Sequence, residues 1–403
     1  VAVGCSAVMR ACERRGQWRQ VLALWPHLQQ LQWRGHMDST DTEPFELHSV
    51  GPADVTAFLE RALEHQWLLG YPLLPPGEDQ LTHGLYKYMA GMQAMAAREL
   101  LRLVVEQGSV LDPFCGSGTV LIEACIAGRS AIGCDLSPLA SFVASQHVDV
   151  EDVDLAAFDA TVMQVVRGIS LSPDPWKQLQ TNIIALGDSA VQRSLQFTYL
   201  VASQASEDDT YWQFQHAQLK KDQEAAPRFR GTARLVIARL RSLRARSFGR
   251  VEVIQQDCRD LRLAKPVHAI ITSPPYPGVY DYLTTAESAS LILGSRCKLT
   301  SEEKRLEIGR RTLWQKRSFE EFAASWQREQ EQWLQAAWSL LLPGGTASLM
   351  IGNGDRDASE DGAFDNLRCT ADAAEKVGFQ VVATSTIASK RTSPSDRSRG
   401  RRR

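Results

Sequence analysis

The stretch from Val110 to Asp135, VLDPFCGSGTVLIEACIAGRSAIGCD, has the residue types and spacing needed to hold a nucleotide-like ligand. A short apolar run ends at Asp112-Pro113, where proline stops helix formation and turns the chain. Two glycines follow in a tight loop, and the spacing becomes helical from Thr119, the predicted N-cap. A second apolar run ends in Asp135. This order of strand, glycine loop, helix and acid-tipped strand predicts the opening of a doubly wound α/β sheet.

The glycine loop also restricts which ligand such a sheet could bind. A phosphate-binding P-loop requires Gly-Lys-Ser/Thr, whereas Gly118 is followed here by Thr119 and Val120. A dinucleotide fingerprint requires a third glycine where Leu121 stands, so that fit is poor as well. What remains is an adenosine ligand without phosphates, whose ribose hydroxyls would be accepted by Asp135.

The segment DPFCGSGT resembles the S-adenosylmethionine loop of class I methyltransferases, in the form found in the amino-methyltransferases of DNA and of some RNAs. The alternative is a glycine-rich turn in an ordinary α/β protein. The resemblance implies a Rossmann-like class I methyltransferase fold and S-adenosyl-L-methionine as the cofactor. The residues of this stretch expected at the cofactor are Asp112, Pro113, Phe114, Gly116, Gly118, Thr119 and Asp135.

A second stretch, Thr272 to Tyr276, directly follows a predicted buried strand over Val267–Ile271. Its two prolines remove backbone donors, which leaves the carbonyls of Ser273 and Pro274 free to accept hydrogen bonds. The exocyclic amine of a base is a poor nucleophile because its lone pair is delocalised into the ring. Acceptors such as the Ser273 hydroxyl can hold its N–H groups and turn that lone pair toward a methyl donor, while Tyr276 offers a ring for stacking. A proline-rich turn that only ends a strand is the alternative.

The sequence TSPPY resembles the signature of DNA methyltransferases that act on the N4 amine of cytosine. Relatives acting on adenine usually have Asp or Asn where Ser273 stands, and RNA guanine-N2 enzymes usually have Asp. The continuation PGVYDYL is also similar to that bacterial-type group, and the resemblance extends over roughly residues 80–390. It implies a catalytic set of Ser273, Pro274, Pro275 and Tyr276.

Two further stretches are predicted to border the cofactor. Leu81 to Val105 resembles the segment that precedes the glycine loop in many DNA amino-methyltransferases. For His83, Tyr86 and Tyr88, cofactor contact and simple packing both remain open. Asp257 follows a strand predicted over residues 250–254, at a position that commonly faces the adenine in this fold; a surface turn is the alternative.

A basic run of eight arginines lies between Arg228 and Arg250. The apolar residues of this helical segment share one face, which leaves arginines for solvent or for a partner. Because the run directly precedes the strand that ends at Asp257, we expect the helix to lie beside the pocket, along the phosphates of a nucleic acid. A solvated helix surface is the alternative. The residues expected to bind nucleic acid are Arg234, Arg241 and Arg244.

The chain divides into a small helical N-terminal extension with a linker (residues 1–76), a methyltransferase domain (77–388) and a low-complexity basic tail (389–403). Part of residues 1–30 resembles one pentatricopeptide-type hairpin, without a second copy on which to stack. The prolines of Tyr71 to Gly77 predict a stiff linker. Residues 149–249 form a mostly helical insertion, far longer than a minimal methyltransferase requires. We expect the tail to be disordered.

Composition adds few constraints on function. The chain has 403 residues and a net charge of −2, so attraction to a polyanion would have to come from a local patch. The eight cysteines are scattered without a Cys-x-x-Cys pair, so no metal site is predicted. No apolar run approaches the length of a membrane span, and the reduced-thiol pattern favours a soluble protein of the cell interior. Neither the compartment nor the oligomeric state follows from the sequence.

These patterns together predict an enzyme that transfers a methyl group from S-adenosylmethionine to an exocyclic amine of a nucleic-acid base. DNA cytosine N4 is the favoured acceptor and DNA adenine N6 the next. RNA guanine N2 and protein glutamine are alternative acceptors, because enzymes acting on them share the Pro-Pro-Tyr arrangement. A non-catalytic module that still binds nucleic acid is a further alternative.

Overall fold

A five-stranded parallel sheet forms the centre of the fold. The computed structural model describes residues 45–69, 79–89, 91–105, 107–148, 153–204, 225–246, 249–314, 318–352 and 365–389. In chain order, the strands are β1 Phe45–Val50, β2 Val110–Asp112, β3 Ala131–Asp135, β4 Val251–Gln255, β5 Val267–Thr272, β6 Leu341–Leu349 and β7 Thr384–Ser389. Strands β2 to β6 form the sheet in the order β4-β3-β2-β5-β6, and β1 pairs with β7 in a separate antiparallel ribbon.

The strand order of the sheet reverses at β2. From β2 the chain proceeds outward through β3 to β4, then crosses to β5 on the other side of β2 and continues to β6, and neighbouring strands are parallel throughout. In open α/β sheets, ligands bind outside the carboxyl ends of the strands at such a reversal. Asp112, Asp135 and Thr272 are the last residues of β2, β3 and β5. The predicted Rossmann-like α/β fold is therefore confirmed, and it brings the sequence motifs to one edge.

Helices cover the sheet and fill the long connection between β3 and β4. In chain order they are α1 Ala53–Leu69, α2 Ala94–Leu101, α3 Thr119–Ile126, α4 Pro138–Val148, α5 Leu155–Val165, α6 Pro175–Ile184, α7 Ala190–Ser203, α8 Ala225–Arg244, α9 Tyr282–Ala286, α10 Ser290–Leu293, α11 Ser301–Arg305, α12 Arg311–Trp314, α13 Phe319–Leu340 and α14 Asn366–Val377. Helices α5 to α8 belong to the insertion, which is helical where it is described. They pack around an apolar core centred on buried side chains such as Phe158, Phe197 and Phe229, and α4 and α10 contribute Leu139 and Ile292 to it.

The two faces of the sheet are buried under different helices. Successive side chains of a strand point to opposite faces, so Val110 joins a cluster with helices α2 and α3, whereas Leu111 joins a cluster with α13. Helix α13 begins with a capping box between Ser318 and Glu321, which satisfies donors at its first turn. Its Trp326 side chain is 1% exposed, a large apolar surface removed from water.

The described part of the N-terminal extension shares the core of the domain. Helix α1 packs on α2, where Arg61 Nε lies 2.8 Å from Glu99 Oε2 and Ala62 is fully buried. Strand β1 pairs with β7, the last strand of the described residues. Residues 45–69 therefore pack directly on the rest of the described fold, and the domain boundary after residue 76 stays a prediction.

Several sequence predictions fall outside the described residues. These are the pentatricopeptide-like hairpin, the proline-containing linker and the tail beyond Ser389. Within the ranges that are described, no helix combines the length and apolar character needed to cross a bilayer.

Candidate active site

A single cavity at the carboxyl edge of the sheet brings the two chemical stretches together. Its empty volume is about 870 Å³, including the open mouth. The predicted site residues that line it are Asp112, Pro113, Phe114, Gly116, Thr119, Asp135, Asp257, Ser273 and Pro275. A ligand held by the glycine loop would therefore face the loop that carries Ser273.

The glycine loop has the exposed backbone and left-handed glycine angles that its sequence predicts. Gly116 and Gly118 have φ angles of +50° and +84°, in the left-handed region that favours glycine. A Cβ added at Gly116 would lie 3.3 Å from the ring of Tyr88, so the loop and this ring form a narrow cradle. The predicted N-cap at Thr119 is wrong by one residue, because Gly118 occupies that position and Thr119 is the first helical residue of α3.

Asp135 is positioned by two backbone amides at the tip of β3. Its Oδ2 accepts from the Gly116 amide at 3.0 Å, and its Oδ1 accepts from the Ser137 amide at 2.8 Å. Burial raises the pKa of this carboxyl to about 6, and the two hydrogen bonds oppose the rise. Each oxygen has a further lone pair, so the group can accept the hydroxyls of a ribose. These residues therefore fit an adenosine-containing cofactor.

Asp112 links the cofactor loop to the catalytic stretch. Its Oδ1 accepts from the hydroxyl of Thr272 at 2.6 Å and from the Phe114 amide at 3.2 Å. The side chain is buried, which raises its pKa to about 7 against the effect of these hydrogen bonds. Because Thr272 directly precedes Ser273, this contact fixes the relative position of the two motifs.

Asp257 lies in the cavity wall but already has a cationic partner. It caps the short turn Cys258–Asp260 by accepting from the Arg259 amide at 2.9 Å, and it also pairs with the Arg259 guanidinium at 2.5 Å. Arg259 donates as well to the carbonyl of Leu306 at 2.6 Å. Adenine recognition by Asp257 stays a prediction, and any such contact would have to share the carboxylate with Arg259.

The catalytic stretch presents Ser273 and Pro275 to the cavity, whereas Pro274 is buried. The Ser273 hydroxyl lies 3.4 Å from the hydroxyl of Tyr276. The ring of Tyr276 packs on Gly352, where an added Cβ would lie 3.2 Å away. Burial raises the pKa of Tyr276, and its hydrogen bond with Ser273 opposes that rise. Tyr276 is not among the residues lining the cavity, so stacking of a base on it stays a prediction.

Two tyrosines line the cavity, and one of them belongs to the segment before the glycine loop, for which the sequence left cofactor contact and simple packing open. Tyr88 and Tyr282 lie with ring centroids 6.5 Å apart and planes 13° from parallel. Of the three aromatic residues before the glycine loop, Tyr88 therefore reaches the cavity. His83 instead pairs with Glu123 at 2.8 Å, and Tyr86 packs on the core of the insertion.

Glu307 is a cavity residue that no sequence motif singled out. It is 5% exposed, and it accepts from the amides of Tyr282 at 2.5 Å and Leu283 at 3.4 Å. Burial raises its pKa to about 7, against the effect of these hydrogen bonds. It lies in a charged segment that contains no recognisable motif. The apolar residues on either side of it, Leu306 and Ile308, are the sequence signal that this segment forms part of the cavity wall. Within the described residues, no group of His, Cys, Asp or Glu is arranged to hold a metal ion.

The basic helix does not lie where the sequence analysis placed it. Helix α8 leads into the amino end of β4, and the Gly249 amide donates to Cys125 at the far end of α3. Arg241 and Arg244 therefore lie toward the sheet edge opposite the cavity. Arg244 donates to the Val153 carbonyl at 2.6 Å, which gives it a structural contact within the insertion. Arg234 and Arg241 are exposed.

The model of one family, the RMKL-like methyltransferase domain, matches residues 85–172. No curated protein and no solved structure matches the chain. The matched range contains Tyr88, the glycine loop and Asp135, and it ends well before Ser273. The match supports a class I methyltransferase that uses S-adenosylmethionine. It does not extend to the residues expected to contact the methyl acceptor.

Proposed function

We propose that the protein transfers a methyl group from S-adenosylmethionine to an exocyclic amino nitrogen of a nucleic-acid base, with DNA cytosine N4 as the favoured acceptor and adenine N6 as the next. The observation that carries the proposal is the shared cavity, which the glycine loop and Asp135 line together with Ser273 and Pro275. The cofactor and the acceptor base would then meet in one cavity.

The cofactor half of the site rests on Asp135 and the glycine loop. When bound, the cofactor supplies an electrophilic methyl group on a sulfonium. Asp135 would accept the ribose hydroxyls, and Gly116 would let the ligand lie against bare backbone beneath Tyr88. These contacts would fix the direction of the methyl group, which is the main contribution a protein can make to an in-line displacement.

The acceptor half rests on the loop after β5. The Ser273 hydroxyl and nearby carbonyls would accept the amino hydrogens of the base, which frees the nitrogen lone pair for attack. Transfer would form an N–C bond as the methyl–sulfur bond breaks, with S-adenosylhomocysteine as the leaving group and one amino proton released to solvent. The contact between Thr272 and Asp112 at 2.6 Å holds this loop against the cofactor loop, so the two reactants would meet at a fixed distance.

The choice of cytosine N4 rests on sequence resemblance, because TSPPY has serine where adenine and guanine-N2 enzymes usually have an acid. RNA guanine N2 or protein glutamine is the alternative acceptor, since an amino or amide nitrogen could be held by the same acceptors. A non-catalytic nucleic-acid-binding module is the second alternative. The presence of Ser273 in the cavity wall favours an enzyme over that module.

The test is an incubation of the full chain with methyl-labelled S-adenosylmethionine and separate pools of duplex DNA, tRNA and protein. We expect label in the DNA pool. Label confined to tRNA or to protein would move the function to the corresponding alternative. Cofactor binding without label in any pool would favour the non-catalytic module.

A further inference from the structure

One wall of the cavity is formed by Tyr88 and Met89, the last residues of a strap defined here as residues Asp79–Met89. Tyr88, near its end, lies against Gly116 of the glycine loop and stacks toward Tyr282 across the cavity. Burial raises the pKa of Tyr88, and so does the charge of Asp135, which shows how close the ring lies to the carboxylate assigned to the ribose. The position of the strap therefore decides the shape of the cofactor site.

The helical insertion holds this strap at both of its ends. At the first end, Asp79 accepts a hydrogen bond from Ser242 of α8, and Arg239 and Arg246 lie 3.8 and 3.9 Å from its carboxylate. At the second end, the side chain of Gln204 accepts from the Lys87 amide at 2.9 Å and donates to the Lys87 carbonyl at 2.9 Å. Both ends of the strap are therefore held by residues of the helical insertion.

The pair of bonds at Gln204 requires a carboxamide. A primary amide offers one acceptor and donors side by side, as a neighbouring β-strand does, whereas a carboxylate can only accept. Gln204 is also fixed in its own position, because it ends helix α7 and its amide donates to the Leu200 carbonyl at 3.2 Å. Leu200 and Val201 are buried in the core of the insertion. The Gln204 side chain with its two bonds to Lys87, called the clamp here, is therefore anchored in a packed helix.

We infer that Gln204 is a positioning residue of the cofactor site, through which the helical insertion holds the strap and its Tyr88 over the glycine loop. The inference rests on the proposed function in one respect, the binding of S-adenosylmethionine at that loop. It assigns a role to the insertion that is independent of nucleic-acid contact. Gln204 does not line the cavity. Its side chain bonds Tyr86 and Lys87, so its effect on the cofactor site must pass through residues 86 to 88 of the strap.

The experiment measures S-adenosylmethionine binding by calorimetry on the full chain and on Gln204→Ala, Gln204→Glu and Gln196→Ala. Gln196 is the matched control, because it is on the same helix and its side chain donates to the Ile292 carbonyl at 2.9 Å, away from the strap. Without the clamp, binding has to order the strap, so we expect Gln204→Ala to raise Kd about tenfold. Gln204→Glu, which keeps one of the two bonds, should have a smaller effect, and Gln196→Ala none.

A double-mutant cycle tests whether the effect passes through the tyrosine. In a Tyr88→Leu background, Gln204→Ala should weaken binding less than it does in the parent, because the ring it positions is gone. Thermal unfolding and hydrogen exchange of the Lys87 amide complete the comparison. We expect faster exchange in Gln204→Ala than in Gln196→Ala, with similar melting temperatures.

The two possible failures can be told apart. A parent protein that binds S-adenosylmethionine, combined with unchanged Kd and unchanged Lys87 exchange in Gln204→Ala, would overturn this inference alone. Equal losses in Gln204→Ala and Gln196→Ala would also overturn it, since they would indicate a general loss of stability. A parent protein that does not bind S-adenosylmethionine would overturn the proposed function and this inference together.

Discussion

Three carboxyl groups in the cavity wall, those of Asp112, Asp135 and Glu307, have pKa values raised by burial to about 7, 6 and 7. Each of these pKa values exceeds the ordinary value of a carboxyl group. At a pH between the ordinary and the raised pKa, the folded state therefore binds more protons than the unfolded state. These groups therefore favour folding most at acidic pH, and that contribution is lost as pH rises toward 7. Carboxyl groups that oppose folding at neutral pH are typical of functional sites.

Asp135 gives the sharpest prediction for cofactor binding. Asp135→Ala removes a charge-assisted acceptor and should weaken S-adenosylmethionine binding by about 1.5–3 kcal/mol. Because the carboxylate is the better acceptor, affinity in the parent should also fall as pH drops through about 6. Calorimetric titration over pH measures both effects. The exposed Asp260→Ala is the matched control, and equal affinities for the two folded variants would contradict the assignment.

Substitutions of Ser273 and Tyr276 should affect the methyl-transfer step and leave cofactor binding nearly unchanged. Ser273→Ala should lower kcat roughly 10- to 100-fold, the loss expected for one hydrogen bond to a group that gains charge, while cofactor affinity stays nearly unchanged. Tyr276→Phe should be milder, because the ring still packs on Gly352 when its hydroxyl is removed. Tyr276→Ala should suppress turnover. Single-turnover kinetics on the preferred acceptor test the series, and wild-type turnover in Tyr276→Ala would make the residue purely structural.

At the scale of elements, a buried ion network joins α2, α3 and the strap. Glu123 of α3 is 1% exposed and lies 2.8 Å from both His83 Nε2 and Arg98 Nε. Burial raises the pKa of Glu123, but the hydrogen bonds and charges of His83 and Arg98 outweigh it and leave a lowered value. The stabilisation is therefore complete above the unfolded-state pKa of 4.5 and is lost as pH falls through the lower folded value.

Replacing Glu123 should accordingly cost much more than replacing an exposed acid. Glu123→Gln leaves the buried His83 and the half-buried Arg98 without a carboxylate and should lower the free energy of unfolding by about 3–5 kcal/mol. Glu331→Gln, which breaks an exposed pair with Lys376, should cost under about 1 kcal/mol. Denaturant unfolding at pH 7 measures both. Similar losses for the two variants would mean that the network does not stabilise the fold.

The arginines of α8 divide into two roles. Arg244→Gln should lower the melting temperature, because it removes a charged donor to the Val153 carbonyl. Changing the exposed Arg234 and Arg241 together to Gln should leave stability unchanged. We propose that these two bind phosphates, so DNA affinity should weaken, and its log–log salt slope should fall by about 0.9 for each phosphate that the double variant no longer neutralises.

The arginine prediction is checked by binding titrations on duplex DNA at several salt concentrations. Arg368→Gln, a highly exposed arginine of α14, serves as the control. A slope in the double variant equal to that of the parent would show that this helix face is only solvated.

For the molecule as a whole, local sequence patterns predicted the sheet and half of the cavity. The glycine loop, Asp135 and Ser273 were predictable because each motif is contained within a few residues at the end of a strand. Tyr282, Glu307 and the β1–β7 ribbon were not predicted, because they depend on contacts between distant segments that no local periodicity records. The predicted position of α8 is wrong for a related reason: the helix enters the amino end of β4, whereas the cavity lies at the carboxyl end of that strand.

We propose that one cavity holds both S-adenosylmethionine and a base whose amino nitrogen is held by Ser273. The most direct measurement is mass spectrometry of nucleosides released from a cytosine- and adenine-containing duplex after incubation with the parent protein or Ser273→Ala. We expect N4-methyldeoxycytidine with the parent, and an initial rate of its formation roughly 10- to 100-fold lower with the variant. A methyl group on a ring carbon, or equal N4-methylation by Ser273→Ala, would contradict this proposal.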